Sequence, residues 1–305
     1  MKDWVWWISM ISNTTTNTIG VTANAFLLFV ILEKTPQQLA TYSVIFLNTA
    51  FCDLFACSTA LLVRQRVIPT GAGIYFISYG PCTLFGPSVC YFIYAVMLHL
   101  FSHAIWGILF SFAYRYYIIS HAPPKRSSIA VFLVLMYLPS FIQLVFFSLS
   151  SNSSEMIKEE IEEKTGYNVS SECVSGHIMD WKMNCVSAQM MLSTPIVFVS
   201  VLILRKRTIS ALNFGVVNVL TIQACLPMFY VIGAICHVLG QSDIYRHPLV
   251  ESSFIFVAEP VPALNPFILL YSIGPYRLWV QGALRNIYSS LFSRPKKKQM
   301  LWQLL

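Results

Sequence analysis

"SFAYRYYIISHAPPKR", residues 111 to 126, closes an apolar run broken only by small polar groups and two histidines. The run stops on Tyr-Arg-Tyr-Tyr and then turns basic. A soluble core helix has no use for that ending. A helix emerging from lipid into water does, and so does one whose last arginine meets a partner.

Composition decides that the setting is a bilayer. The chain has 305 residues, 56% of them hydrophobic and only 11% charged, with a mean hydropathy of +0.63. Soluble domains carry about 25% charged residues, so a membrane protein is the class that fits. The net charge of +7 does not indicate nucleic acid, because the basic residues form short clusters between apolar spans. They read as topology signals. Residues Met1 to Met10 hold no small-residue cleavage site, so no cleavable signal peptide is expected. Trp4, Trp6 and Trp7 read as an interfacial belt ahead of the first span. The eight cysteines show no Cys-x-x-Cys spacing, so neither a metal centre nor any cofactor is expected.

A spanning helix needs about 20 mainly apolar residues. Seven segments qualify, at about 14–33, 42–63, 86–119, 128–150, 186–205, 212–239 and 250–273. The predicted fold is an all-α integral membrane bundle of seven helices. Seven crossings put the two termini on opposite sides. With the N-terminus outside, the inner side holds thirteen lysines and arginines, among them Arg115, Lys125, Arg126 and Arg205 to Arg207, and the outer side seven. That bias favours the N-terminus outside and the C-terminus in the cytoplasm. The Asn-x-Ser/Thr triplets at Asn13, Asn152 and Asn168 all fall on the outer side as glycosylation candidates, Asn168 the best placed.

Polar residues inside spans need partners. Asn24, Asp53 and Asn265 lie in spans one, two and seven, where each is costly unless satisfied. A shared polar network and separate helix-to-helix hydrogen bonds are both open. His99 and His103 share one face of span three as an i, i+4 pair. Glu259 is an acid within span seven, which by default marks function. These three are expected to line a ligand pocket, with Tyr91, Tyr94, Phe229 and Tyr230 as apolar walls. Residues 155 to 164, "EMIKEEIEEK", read as a short charged helix in the second outer loop. Past span seven, apolar residues from Tyr276 to Leu291 recur at helical spacing, so 276–292 reads as an amphipathic helix on the inner leaflet. Residues 1–292 then form one seven-transmembrane domain, followed by a basic cytoplasmic tail at 293–305.

The order of landmarks resembles a G-protein-coupled receptor: Asn24, Asp53, Arg115 beside Tyr116, Pro227 and Asn265-Pro266. Two positions depart from the rhodopsin-like pattern. Tyr114 precedes Arg115 where an acid would stand, and the tyrosine after Pro266 comes five residues later, at Tyr271. "SIGPYR" (272–277), "KTPQQLATYSVIFLNTAFCDL" (34–54), "QRVIPTG" (65–71) and "YGPCTLFGPSVCYFIYAVMLHLFSH" (79–103) narrow the resemblance. Together they look like the nematode serpentine receptor class delta chemoreceptors, from about residue 19 to 292. That resemblance implies a chemosensory receptor in the plasma membrane of sensory neurons, at the cilium. It would bind a small-molecule or peptide ligand and pass the signal to a heterotrimeric G protein through Arg115 and Tyr116. It also places Cys90 where receptors tie span three to the second outer loop, favouring Cys90–Cys173, with Cys82 as rival partner and Cys185 available for a second bond. Connectivity stays open. The alternative function is a ligand-gated channel or a transporter. An enzyme is rejected, since no Gly-x-Ser-x-Gly, His-Glu-x-x-His or paired-Asp arrangement is present.

Overall fold

The computed structural model describes residues 4–211, 217–242, 247–252 and 256–292. The bundle is built from α1 (Trp4–Lys34), α2 (Ser43–Val63), α3 (Pro87–Ser120), α4 (Arg126–Ser148), α6 (Trp181–Ala211), α7 (Val217–Gln241) and α8 (Pro260–Ser272). A charged helix, α5 (Ser154–Thr165), sits in a loop, and α9 (Gly274–Phe292) follows α8 directly. Six of these helices are long and apolar enough to cross a membrane. The seventh predicted segment, 250–273, is divided into a helical turn at Pro248–Glu251 and α8. Pro260 and Pro262 mark the start of α8, where a missing N–H costs nothing. The basic tail at 293–305 and residues 212–216 of the sixth predicted span lie outside the described residues.

The polar-looking start of span one is helical throughout. Thr14 donates back to the Met10 carbonyl at 2.8 Å and Thr22 to that of Thr18 at 3.0 Å, so these hydroxyls are satisfied within the helix. The bundle exterior is apolar. On α4, Phe132, Val134, Leu135, Phe141 and Ile142 are all at least half exposed, a surface that hydrocarbon would cover and water would not.

One feature was not foreseen: a three-stranded antiparallel sheet in the order β1-β2-β3, made of Gln65–Thr70, Gly73–Ser78 and Cys173–Ile178. The sheet's hairpin occupies the Gly/Pro-containing stretch 64–86 between the second and third predicted spans. Arg64, with φ 42, ends α2 in a left-handed turn and sends the chain into β1. Residues 71 and 72 form the tight loop between the paired Thr70 and Gly73. Gly80 packs its backbone on Leu62, where a β-carbon would strike the Leu62 carbonyl. That close approach closes the hairpin back onto the end of α2.

The sheet is buried on both faces, with alternate residues pointing opposite ways. Val67, Ile74 and Phe76 join the bundle core with Tyr91, Tyr94 and Tyr230. Ile68, Tyr75, Ile77 and Val174 form a second small core with Ile157 and Ile161 of α5. Helix α5 follows the predicted 155–164, with Ser153 as its N-cap and Gly166 (φ 70) ending it. The sheet is therefore a roof over one end of the bundle, clamped from above by α5.

The disulfide differs from the favoured pairing. Cys82 is bonded to Cys90, tying the short helical turn before α3 to α3 itself. Cys173 at the start of β3 keeps its thiol 4.0 Å from the Cys90 sulfur, and Cys185 is free and exposed. Pairing of β3 with β2, which sets Cys173 opposite Ser78, already anchors this strand, so the roof is held by backbone hydrogen bonds rather than by that bond.

His177 of β3 pins the roof to α3. Its Nδ1 lies 3.0 Å from the Tyr91 hydroxyl, which also donates to the Phe147 carbonyl at 2.9 Å. Burial pushes the His177 pKa down to about 4, with Asp180 relieving and His237 reinforcing the shift. The unfolded chain takes up this proton near 6.5 and the folded one only near 4. Below pH 6.5 the unfolded state binds more protons, so stability falls on acidification through this window. Hydrogen exchange of the β3 amides should accelerate between pH 6.5 and 4, after correction for the intrinsic rate, and His177→Gln should flatten that dependence.

Candidate functional site

Beneath the roof lies a cavity of about 110 Å³, far above the roughly 10–15 Å³ that one water needs. Tyr94, Leu98, Phe101 and Ser102 of α3, Val186, Met190 and Thr194 of α6, and Tyr230 and His237 of α7 form its walls. Val67, Pro69, Ile74 and Phe76 form its ceiling. The ceiling residues come from the hairpin, so the sheet completes the site as well as covering it.

Of the expected apolar walls, Tyr94 and Tyr230 line this cavity. Tyr91 supports the roof through His177, and Phe229 packs at the edge of the core. The three expected polar pocket residues are not among the lining residues. His99 and His103 point to α4 and α2: the His103 ring stacks on Tyr137 at 3.6 Å and its Nε2 lies 3.1 Å from the Asn48 amide. Tyr137 in turn donates to Asn48 Oδ1 at 3.0 Å. The i, i+4 face of this pair is the packing face of α3, which is why spacing alone could not separate pocket from interface.

Glu259 is turned to α1. Its Oε2 accepts from Asn13 Nδ2 at 2.7 Å and from Asn17 Nδ2 at 2.8 Å, with all three residues buried. Asn13 is thereby removed as a glycosylation candidate, since it is fully enclosed in the α1–α8 seam. Asn152 is half-buried with its Oδ1 accepting from Ile178 N at 2.8 Å, whereas Asn168 is exposed on the loop above α5. The residues Asn24, Asp53 and Asn265 form two separate links rather than one cluster. Asn24 Nδ2 donates to the Pro262 carbonyl at 3.0 Å, and Asn265 Nδ2 to Asp53 Oδ2 at 2.8 Å. Both links end on α8.

The acid that does line the cavity is Glu251, at the helical turn before α8. Its Oε2 lies 2.5 Å from Arg66 of β1, both side chains only 7% exposed, and its Oε1 accepts from Tyr167 at 3.4 Å. The Arg66 guanidinium also stacks 5.1 Å over the Tyr167 ring. Burial opposes the Arg66 charge and the adjoining Glu251 carboxylate more than offsets it, leaving its pKa above the ordinary value. This pair latches the roof to the bundle. In sequence, Arg66 reads as one of several outer cations and Glu251 as the edge of a span; only the hairpin brings them together.

At the opposite end, Arg115 bridges three helical segments. Its Nε donates to the Tyr42 hydroxyl just before α2 and its Nη1 to Gln223 Oε1 of α7. The guanidinium also lies over the Tyr42 and Phe112 rings, 5.6 Å from each centroid. Tyr114, standing where an acid was looked for, stacks on Tyr42 at 4.8 Å. Tyr116 is exposed. Beyond α8, the Tyr276 of "GPYR" is fully buried against Leu27 and Phe46, with its hydroxyl 2.6 Å from Thr35. That contact is the physical content of the motif: it fixes where α9 leaves the bundle.

A membrane bundle with a roofed cavity at one end and an arginine-centred junction at the other has the architecture of a seven-transmembrane receptor. The family model for the serpentine-type seven-transmembrane GPCR chemoreceptor Srd matches residues 9–282, and the chain belongs to that family. It is similar to the Caenorhabditis elegans serpentine receptor class delta-3, 26% identical over 290 residues, covering 87% of this chain and 84% of that one. The class delta-19 and delta-1 receptors of the same organism match at 26% over 301 residues and 25% over 304. They cover 92% of this chain each, and 88% and 81% of themselves. This is a receptor class and not an enzyme family.

Breaking a buried ion pair by removing one partner costs roughly 3–5 kcal/mol. Glu251→Gln and Arg66→Gln should each lower the melting temperature of the purified protein markedly. The exchange Arg66→Glu with Glu251→Arg should recover most of the loss. Equal melting of all four proteins would show that the latch carries no stability.

Proposed function

We propose that this chain is a chemosensory G-protein-coupled receptor with its N-terminus and roof outside the plasma membrane and its C-terminus in the cytoplasm. The sensory cilium is the membrane implied by its class. The observation that supports the reading best is the placement of both working ends on one rigid element. Helix α3 carries Tyr94, Phe101 and Ser102 at the cavity and, further along, Arg115 at the junction.

From Ser102 to Arg115 is thirteen residues, about 20 Å at 1.5 Å per residue. A ligand that packs between α3, α6 and α7 favours one arrangement of those helices over another. The same rearrangement changes the spacing of Tyr42, Arg115 and Gln223, which join α3 to α2 and α7. Coupling between ligand and G protein is then the difference in free energy with which each binds the two arrangements. Helix α9 lies along the inner leaflet, its exposed Leu278, Leu284, Ile287 and Tyr288 entering the headgroup boundary. Asn168, exposed above α5, carries the outer glycan.

The reading makes a joint prediction in cells expressing a C-terminally tagged chain. Asn168→Gln should remove a glycan, and the tag should be reached by antibody only after permeabilisation. Arg115→Ala should leave surface expression intact and abolish second-messenger output to an activating extract. A tag and glycan on the same side, or full output from the surface-expressed Arg115→Ala variant, would overturn the proposal.

A further inference from the structure

The walls of the roofed cavity specify a ligand chemistry beyond the general receptor role. The charged side chain among the lining residues is Glu251, and its charge is already neutralised by Arg66 at 2.5 Å. A charged ligand would leave water without meeting an unpaired counter-charge, which is strongly unfavourable in an apolar enclosure. A cation could gain Glu251 only by displacing a buried guanidinium that would then be unpaired itself.

Part of the polar lining is already paired, while Ser187 and His237 also face the cavity as neutral polar groups. The Thr194 hydroxyl donates back to the Met190 carbonyl at 2.8 Å, and Ser193 to the same oxygen at 3.4 Å. Two buried lining residues keep hydroxyls with no hydrogen-bond partner: Ser102 on α3, 4% exposed, and Tyr230 on α7, 6% exposed. The Phe101 and Tyr230 rings meet edge-on at 6.1 Å, so α3 and α7 are in direct contact at the cavity that both hydroxyls line. A buried hydroxyl without a partner is costly. Around them the cavity is walled by aliphatic, methionine and aromatic side chains.

We infer that the cavity takes a neutral, mainly hydrophobic small molecule bearing one oxygen function, a ketone, alcohol, aldehyde or ester, whose oxygen meets the unpartnered hydroxyl of Ser102 or Tyr230. The carbon skeleton fills the space between Val186, Met190 and the hairpin ceiling, where burial supplies the affinity. The oxygen supplies orientation: either hydroxyl can donate to it, and either can accept where the ligand carries an O–H. Peptides and free amines are disfavoured because their charges find no partner. The inference rests on reading this cavity as the ligand site.

The test uses the full chain, purified in detergent, with 2-nonanone, 1-nonanol, nonane, nonylamine and nonanoate as probes in a thermal-shift titration. The ketone and the alcohol should bind, each roughly 3- to 10-fold more tightly than nonane, the value of one net hydrogen bond. Nonylamine and nonanoate should bind more weakly than nonane. Ser102→Ala with Tyr230→Phe should reduce ketone binding to the nonane level while nonane binding stays unchanged. Ala234→Phe, which fills the cavity, should abolish the shift with all of them. Tighter binding of either charged probe, an oxygen preference that survives the double variant, or no binding by the ketone and alcohol would overturn the inference. Signalling is scored separately: neutral probes that bind as expected but never change G-protein output would sink the receptor proposal and leave the ligand chemistry standing.

Discussion

A bilayer offers no hydrogen bonds, and the arrangement of this chain follows from that constraint. Backbone groups within the hydrocarbon must be satisfied inside their own segment, which makes the spans helical. Polar side chains there must find one another, which sets how the helices dock. Ser9, Asn13, Asn17 and Asn24 occupy a buried line along α1. Asn13 and Asn17 meet Glu259, and Asn24 meets the Pro262 carbonyl. With Asp53 bonded to Asn265, α8 becomes the element to which α1 and α2 are both tied. Gly20 lies in the same seam against Ala263 and Cys57, where a larger side chain would hold α1 away.

The one departure from helix obeys the same rule. Strand backbone is tolerated where protein covers it, and the sheet sits at the end of the bundle with both faces enclosed. Its inner face closes the cavity and its outer face supports α5. Because the ceiling of the cavity is also one layer of a two-sided core, a ligand that displaces Phe76 or Val67 must disturb the packing around Tyr75 and Ile77. The site is therefore mechanically joined to the outer loop, and the Arg66–Glu251 pair is the polar fastening of that joint.

The helices were legible in the sequence because hydropathy reports burial in lipid directly. The charged run 155–164 also located α5, and the structure adds Ser153 and Gly166 as its caps. The hairpin was not legible. In "QRVIPTGAGIYFIS" (65–78) both faces are buried, so the strands lack the apolar-polar alternation that marks a half-exposed sheet. Pro69 argued against a strand as well, yet it sits on the outer strand β1, where its missing N–H costs no ladder bond to a third strand. Two signals were available: the β-branched and aromatic run at 74–77, and the Gly71-Ala72 loop between Thr70 and Gly73. At the site, Tyr94 and Tyr230 of the expected aromatic walls line the cavity, whereas the three expected polar residues do not. His103 and Glu259 stood out because they are costly in a span, and cost is relieved equally well by a neighbouring helix as by a ligand. The residues that do shape the cavity, Ser102, Val186 and Met190, are too ordinary to be singled out without coordinates.

The arginine junction shows what a missing acid can mean. With Tyr114 beside Arg115 the preceding residue supplies no carboxylate, and the guanidinium is held by the neutral oxygens of Tyr42 and Gln223. A hydrogen bond to a charged group contributes about 1.5–3 kcal/mol, whereas a buried ion left without its partner costs roughly 3–5 kcal/mol. Neutral acceptors leave less to be overcome when α3 and α7 shift against each other, and they leave no unpaired anion behind. Among the described residues, the strong buried pair stands instead at the roof, between Arg66 and Glu251. The firmer fastening therefore lies beside the cavity and the looser one at the far end, so closure around a ligand can be exacting while the opposite end remains free to rearrange.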